Sequence, residues 1–315
     1  MNESYLVTGA TGFVGACLSR ALVKQGKAVS ILVRDKNLNW RLNDISSKLN
    51  IYECDITDKK LGYVMDKIKP SHIFHLAAYG SLPQQDNFDQ MIRVNLKGTK
   101  NLIDALEKFD YKVFVNTGSS SEYGIKDDQM SEKDVLAPAN DYGVTKASST
   151  LYSQKQANRT GKPIITFRLF SPYGYYEDIN RLIPSLILKA LKNETIELSS
   201  PKNVRDFIFI EDVVSAYIKV SNSDFKSGEI FNVGSGNQHN VKEVVDEVMS
   251  LVNSKSKILW EKITVQKRQI EPQTWEANIE KIKSELDWRP KHSLSEGLRK
   301  TVDWFRINRH LYERI

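Results

Sequence analysis

Residues 8–15 read Thr8-Gly9-Ala10-Thr11-Gly12-Phe13-Val14-Gly15, set between the apolar run Tyr5-Leu6-Val7 and a helix-like stretch from Ala16 to Gln25. Strand, glycine turn and helix in that order are what a dinucleotide pyrophosphate requires. Gly9 lets the chain turn tightly off the strand, and Gly12 lets backbone N–H groups reach phosphate oxygens with no Cβ in the way. Gly15 lets the helix pack close to the strand, and the helix N-terminus adds positive partial charge. The spacing is G-x-x-G-x-x-G, not G-x-G-x-x-G, so the flanking strand and helix carry much of this reading.

Beyond the turn, short apolar runs alternate with helical stretches. Val29 to Val33, Asn50 to Glu53, His72 to Leu76, Val113 to Asn116 and Ile164 to Phe167 read as strands. Lys60 to Ile68, Gln84 to Phe109 and Tyr142 to Arg159 read as helices between them. This alternation implies an α/β fold, a doubly wound parallel Rossmann sheet covered on both faces. Such sheets bind ligands at the carboxyl ends of their strands, which is where chemistry is expected. After Arg168 the rhythm changes. Helices are expected at Asn180 to Lys192, Glu211 to Val220, Val241 to Val252, Asn278 to Leu286 and Leu294 to Phe305. Among them lie an extended run, Val204 to Ile210, and a strand, Phe231 to Gly236. No Pro- or Ser-rich linker separates the halves. Residues 1–170 are therefore expected to bind the dinucleotide and 171–315 to form mainly a smaller C-terminal substrate lobe, with part of 205–235 returning to the first domain.

Composition narrows the function classes. The 315 residues are 40% hydrophobic and 27% charged, as in ordinary globular proteins, and no apolar stretch reaches the roughly 18 residues needed to span a bilayer. Glu3 precedes the first strand without a basic, signal-like leader, and Cys17 and Cys54 lie among apolar neighbours as buried thiols would. Both features suit a reducing cytoplasm. The five His are scattered with no metal-ligand spacing, so no metal is expected. The net charge of +6 is spread along helices whose Lys and Arg alternate with acids, as in Lys242-Glu243 and Glu280-Lys281. That pattern reads as solvated helix faces and argues against a nucleic-acid partner.

After the fifth strand comes Asn116-Thr117-Gly118-Ser119-Ser120-Ser121-Glu122-Tyr123-Gly124, and later Tyr142-Gly143-Val144-Thr145-Lys146 opens a helix. Tyr142 and Lys146, four apart, share one helical face. A tyrosine hydroxyl with a pKa near 10 is a poor acid or base at pH 7. A neighbouring ammonium, together with the cation of an oxidised nicotinamide, would favour phenolate and lower that pKa. Ser119 would then hydrogen-bond the reacting oxygen.

With these motifs the chain resembles the extended short-chain dehydrogenase/reductases. T-G-A-T-G-F-V-G (8–15), H-L-A-A (75–78), N-L-K-G-T (95–99), G-S-S-S-E-Y-G (118–124) and Y-G-V-T-K (142–146) carry the likeness. R-L-F-S-P-Y-G (168–174), R-D-F-I-F-I-E-D-V (205–213), F-N-V-G-S-G (231–236) and L-D-W-R-P (286–290) are similar to the nucleotide-sugar branch. The resemblance implies Tyr142 as general acid/base, Lys146 as its electrostatic partner and ribose ligand, and Ser119 as the catalytic hydroxyl. It implies cofactor contacts at Gly9, Thr11, Gly12, Phe13, Val14 and Gly15, at Asp55 and Ile56 for adenine, and at Leu76, Ala77 and Ala78. Asn95 would support the site. Ser120 and Ser171 would meet the sugar, and Arg205 and Arg268 the substrate diphosphate. The family often carries Asn where this chain has Ser171, which departs from the usual amide contact. It also implies a homodimer built on the two long helices, with Leu102, Leu106, Leu151 and Tyr152 at the contact.

Members of this branch are dehydratases, epimerases, reductases or decarboxylases on one scaffold. In the 4,6-dehydratases carboxylates follow the catalytic hydroxyl residue; here Ser120 and Ser121 stand there, and neither can remove a carbon-bound proton. Glu122 before Tyr123 resembles the G-S-x-x-E-Y-G of 4-keto-6-deoxy-sugar reductases. A 4-epimerase needs only the Ser/Tyr/Lys set and stays open. The second strand ends Val33-Arg34-Asp35, placing Arg34 where an acid would select NAD, although a one-residue shift would put Asp35 there. NADP(H) is the preferred cofactor on this reading, with NAD(H) as the alternative. The expected function is NADPH-dependent reduction of a nucleotide-linked 4-keto-6-deoxy sugar; the alternatives are a redox-neutral epimerase and a non-catalytic dinucleotide sensor. The Tyr142/Lys146 pair speaks against the sensor.

Overall fold

Runs of Val, Ile, Leu and Phe too short for helices and apolar on both faces become strands of one parallel sheet. The structure, a computed structural model, describes residues 3–35, 40–262 and 272–312. Its first half contains β1 (Ser4–Thr8), α1 (Phe13–Lys24), β2 (Ala28–Val33), β3 (Leu49–Glu53), α2 (Leu61–Ile68) and β4 (His72–His75). It continues through α3 (Phe88–Met91), α4 (Thr99–Leu106), β5 (Val113–Ser119), α5 (Asp141–Thr160) and β6 (Ile164–Leu169). Next come β7 (Ser171–Tyr173), α6 (Leu182–Leu191), β8 (Ile196–Glu197), β9 (Val204–Arg205), β10 (Phe207–Phe209) and α7 (Ile210–Val220). The last elements are β11 (Ile230–Val233), β12 (His239–Asn240), α8 (Val241–Val252), β13 (Ile258–Leu259), α9 (Glu280–Leu286) and α10 (Leu294–Asn308).

Seven strands form the sheet in the order β11-β6-β5-β4-β1-β2-β3, each paired parallel with its neighbour. The chain moves outward from β1 to β3, then returns to the other side of β1 as β4. That reversal makes the crevice beyond the ends of β1 and β4 the ligand position. Leu102, Ile103 and Leu106 of α4 and Val64, Met65 and Ile68 of α2 bury one face of the sheet. The other face is buried by Leu18 and Leu22 of α1 and Val213 and Tyr217 of α7, and this larger core runs on into the second half through Leu186, Val245 and Leu298. Late in the chain, β7 pairs with β10, β9 with β12 and β8 with β13.

The expected elements differ from the observed ones where tertiary contacts outweigh periodicity. The helix expected over Gln84 to Phe109 starts at Phe88, capped by Asn87, whose side chain accepts the Gln90 N–H at 2.9 Å. Its middle, Ile92–Gly98, is π-helical, and such bulges are frequent at functional sites. The helix expected from Asn180 is confined to Leu182–Leu191. The run from Val204 to Ile210 is broken at Asp206, and Ile210 already belongs to α7. The strand expected to reach Gly236 stops at Val233. The two- and three-residue strands of the second half are too short for alternation to reveal them.

Candidate active site

Each glycine of the turn after β1 meets a separate demand. Gly9 has φ +68°, and a Cβ there would stand 2.6 Å from the Ala77 nitrogen, against the chain leaving β4. The approach is locked by the Leu76 N–H to the Thr8 carbonyl and the Ala77 N–H to Thr8 Oγ1, both 3.2 Å. A Cβ on Gly15 would overlap the Gly9 carbonyl. Gly12 precedes α1 with no side-chain cap and no acid in the first turn. The leading N–H groups of α1 are thus left for an external anion, which fits a dinucleotide pyrophosphate. Phe13 and Val14 turn toward the core and anchor the turn.

The remaining residues expected on the cofactor side lie at or near the ends of the neighbouring strands. Arg34 and Asp35 are both exposed beyond β2. Beyond β3, Asp55 Oδ1 accepts the Thr57 N–H and hydroxyl, each at 2.7 Å. Ile56 is buried, and Gly98 leaves room for it, since a Cβ there would lie 2.5 Å from Ile56 Cδ1. Its side chain is committed to the core. Leu76 and Ala77 are half-buried and Ala78 is exposed. Asn95, in the π segment, accepts the Tyr79 N–H at 2.8 Å and donates to the Tyr79 carbonyl at 2.8 Å and the Thr145 hydroxyl at 2.9 Å. It therefore ties the loop after β4 to the first turn of α5.

Ser119 ends β5 and Tyr142 lies in the first turn of α5, with the Ser119 side chain close enough to favour the Tyr142 phenolate slightly. Asn140 caps α5 by accepting the Gly143 N–H at 2.8 Å. Gly143 allows α5 to press against the serine turn, where a Cβ would overlap the Ser121 carbonyl. Lys146 is buried one helical turn further on. Burial pushes Tyr142 up to about 12, against the opposing charge of Arg181. Burial also pushes Lys146 down to about 8, while the Glu122 carboxylate holds it up. The sequence reading has Lys146 and the cation of an oxidised nicotinamide together drawing Tyr142 toward phenolate; among the protein's own groups burial outweighs the nearby cations, and the cation bearing on Tyr142 is Arg181. Behind them His75 is buried and held neutral, pushed down to about 3 by burial and then by Lys146. Its ring bonds Thr8 Oγ1 at 2.7 Å and Thr99 Oγ1 at 2.9 Å.

On the other side of Ser119, the buried Ser120 hydroxyl accepts the Trp275 indole N–H at 3.2 Å. The Arg205 guanidinium lies 5.3 Å from the Trp275 ring centroid. Asp206 fixes this corner, accepting the N–H groups of Ser235 (2.6 Å), Gly236 (3.0 Å) and Ala277 (3.0 Å). Ser171 is half-buried in β7, its N–H on the Asp206 carbonyl at 3.0 Å. Arg268 lies outside the described residues. Arg181 and Trp275 carry no local motif, and only the fold brings them to the site; His75 opens the H-L-A-A motif, but its buried role behind Lys146 is visible only in the fold. Among the described residues no group of His, Cys, Asp and Glu is placed to hold a metal, and no helix is long and apolar enough to cross a membrane.

A doubly wound parallel sheet with an uncapped glycine turn beyond its first strand is the architecture of a dinucleotide-binding protein. The chain belongs to the NAD dependent epimerase/dehydratase family, whose pattern matches residues 5–234. It is 30% identical to a UDP-glucuronate 4-epimerase of Thermodesulfobacterium geofontis, over 99% of this chain and 98% of that one. It is 25% identical to a dTDP-glucose 4,6-dehydratase of Neisseria meningitidis, over 98% and 95%. The UDP-glucuronic acid 4-epimerase of Bacillus cereus, solved with UDP-glucuronic acid and NAD, superposes with a TM-score of 0.85 at 24% identity, covering 96% of this chain and 99% of that one.

Proposed function

We propose that the protein is a cytoplasmic, NADPH-dependent 4-ketoreductase acting on a nucleotide-linked 4-keto-6-deoxy sugar, for deoxy-sugar and surface-polysaccharide biosynthesis. The observation that carries this is Arg34, exposed directly after β2 where a carboxylate would select the ribose 2′-hydroxyl of NAD. A guanidinium there suits a 2′-phosphate. Ser120 and Ser121, in place of carboxylates beside Ser119, argue against 4,6-dehydration.

The bound dinucleotide supplies hydride chemistry. The glycine turn and the α1 N-terminus would hold its pyrophosphate, and Lys146 its ribose. Tyr142 carries the proton for the sugar oxygen at C4, and its position near pH 12 keeps that proton on until the oxygen takes it. Ser119 hydrogen-bonds the same oxygen. Residues 1–170 serve the dinucleotide and 171–315 mainly the sugar nucleotide, part of 205–235 returning to the first; Arg205 grips the diphosphate, with Ser120 and Ser171 toward the sugar. The working unit is a homodimer.

The likeness to a UDP-glucuronate 4-epimerase over the full chain favours a second reading, a redox-neutral 4-epimerase. Purified enzyme is given CDP-, GDP-, dTDP- and UDP-linked 4-keto-6-deoxyglucose and, separately, UDP-glucuronic acid, while reduced nicotinamide is followed by absorbance. Stoichiometric NADPH consumption with a 4-keto sugar supports the reductase. Epimerised UDP-glucuronic acid with no net consumption overturns it in favour of the epimerase. The cofactor assignment has its own check: Arg34→Ala should weaken NADPH binding about 10–100-fold more than NADH binding, the scale of one charged hydrogen-bonded pair. Equal losses would sink it.

A further inference from the structure

Glu122 is the last residue of the short turn Ser120–Glu122 that follows β5, and its side chain is fully buried. Oε1 accepts the Ser119 N–H at 2.8 Å and the Thr150 hydroxyl at 3.0 Å. Oε2 accepts the Arg168 Nε–H at 2.8 Å. Arg168 is buried too, its guanidinium 4.6 Å from the Tyr123 ring centroid and its Nη1 without a hydrogen-bond partner. Gly118 makes the space, since a Cβ there would stand 2.5 Å from Glu122 Oε1. Both carboxylate oxygens are therefore occupied by protein. The carboxylate that carries the reductase-like motif faces inward and is closed off from solvent.

Burying an ion pair costs several kcal/mol per ion unless its geometry repays it, and an apolar pair of similar volume is often as stable. The placement offers a reason for keeping this one. Thr150 lies one helical turn beyond Lys146 on the same buried face of α5, which places the carboxylate that meets Thr150 on the Lys146 side of the helix, near enough for its charge to act on that ammonium.

We propose that Glu122 is the positioning residue of this site. Clamped by Arg168 and Thr150, it fixes the Ser119 backbone behind the catalytic hydroxyl and is the buried negative charge that keeps Lys146 cationic. Its effect on Lys146 opposes that of burial, which leaves the ammonium titrating near pH 8. The other ionisable groups toward this pair are His75 from β4, Tyr123 directly after Glu122, Glu132 beyond it, Arg168 from β6, Tyr142 on α5 itself, Arg181 before α6 and Tyr217 on α7. Asp89, Arg93, Lys97, Lys100 and Asp104, on the helical segments packed against α5, are exposed.

The proposal rests on the Ser119/Tyr142/Lys146 assignment but not on which sugar is turned over. Glu122→Gln keeps an acceptor for Ser119 and Thr150 but removes the charge and the acceptor of the Arg168 Nε–H, which is why a double variant that also replaces Arg168 is measured beside it. NADPH and NADH affinity are titrated by fluorescence from pH 6 to 10, and kcat/KM is measured over the same range with whichever sugar nucleotide the wild type turns over. Without the facing anion the Lys146 cation is less favoured, so the alkaline limb of both profiles should move down by about one pH unit or more. Thr150→Val, which removes a hydrogen bond but no charge, should leave the limb in place. The double variant Glu122→Gln/Arg168→Met, which buries no lone cation, should shift it as the single one does. A folded Glu122→Gln with an unmoved limb, a Thr150→Val shift of equal size, or a wild-type profile flat to pH 10 would each overturn the proposal. The affinity profile needs no sugar, so the absence of 4-keto-sugar reduction tests the functional reading alone.

Discussion

Burial holds the Tyr142 proton until pH about 12 and lets Lys146 lose its own near pH 8, so around neutral pH the pair is a phenol beside an ammonium. That is the protonation state a reductive step needs, with the phenol ready to donate. Tyr142→Phe should lower kcat by roughly 10²–10⁴-fold, the usual worth of a positioned general acid, while cofactor affinity stays within a few-fold of wild type. Steady-state kinetics with parallel dinucleotide titration checks this, and retention of half the wild-type turnover would remove Tyr142 from the mechanism. The Y-x-x-x-K spacing was readable because both residues sit on one helix. Arg181, the cation that bears on Tyr142, arrives from a loop before α6 and left no mark near position 142.

At the scale of elements, the segment between β7 and α6 is knitted to the glycine turn. Arg41 donates from Nε to the Tyr176 carbonyl at 2.7 Å and from Nη1 to the Thr11 carbonyl at 3.4 Å. Tyr312 donates to the Glu177 carbonyl at 2.9 Å. Within this segment the Glu177 carboxyl is buried, its Oε2 without a partner, and burial pushes it up to about 8. Between about pH 4.5 and 8 the folded chain therefore binds the Glu177 proton more tightly than the unfolded chain, so stability falls as pH rises through that window. Glu177→Gln removes this slope. Its melting temperature should match wild type near pH 4.5 and exceed it by on the order of several °C at pH 8. A gap that is constant with pH, read by thermal denaturation, would refute the assignment.

For the whole molecule, the homodimer contacts that the resemblance implied need correction. Leu102 and Leu106 are fully buried in the chain's own core, and Tyr152 packs beside them. Leu151 is 54% exposed, and Val144 (39%) lies seven residues before it on the outer face of α5, with Phe88 of α3 also exposed at 40%. An apolar stripe on a helix looks the same in sequence whether it covers its own sheet or a partner's helix. The homodimer we propose should thus depend on Leu151 and Val144. Leu151→Glu should convert a dimeric mass into a monomeric one by light scattering, with an unchanged circular dichroism spectrum. A wild-type mass that stays monomeric at every concentration contradicts the dimer.

The alternation of strands and helices in the first half, the glycine turn and the Tyr142/Lys146 spacing were set by the sequence alone, because each rests on spacing within one short segment or on the alternation of apolar runs. The π segment that holds Asn95, the clamp of Arg168 on Glu122, the reach of Trp275 to Ser120 and the burial of Ile56 were decided only in three dimensions. Each brings together residues far apart in the chain, and the burial that shifts Tyr142, Lys146 and Glu177 exists only once those segments have excluded water.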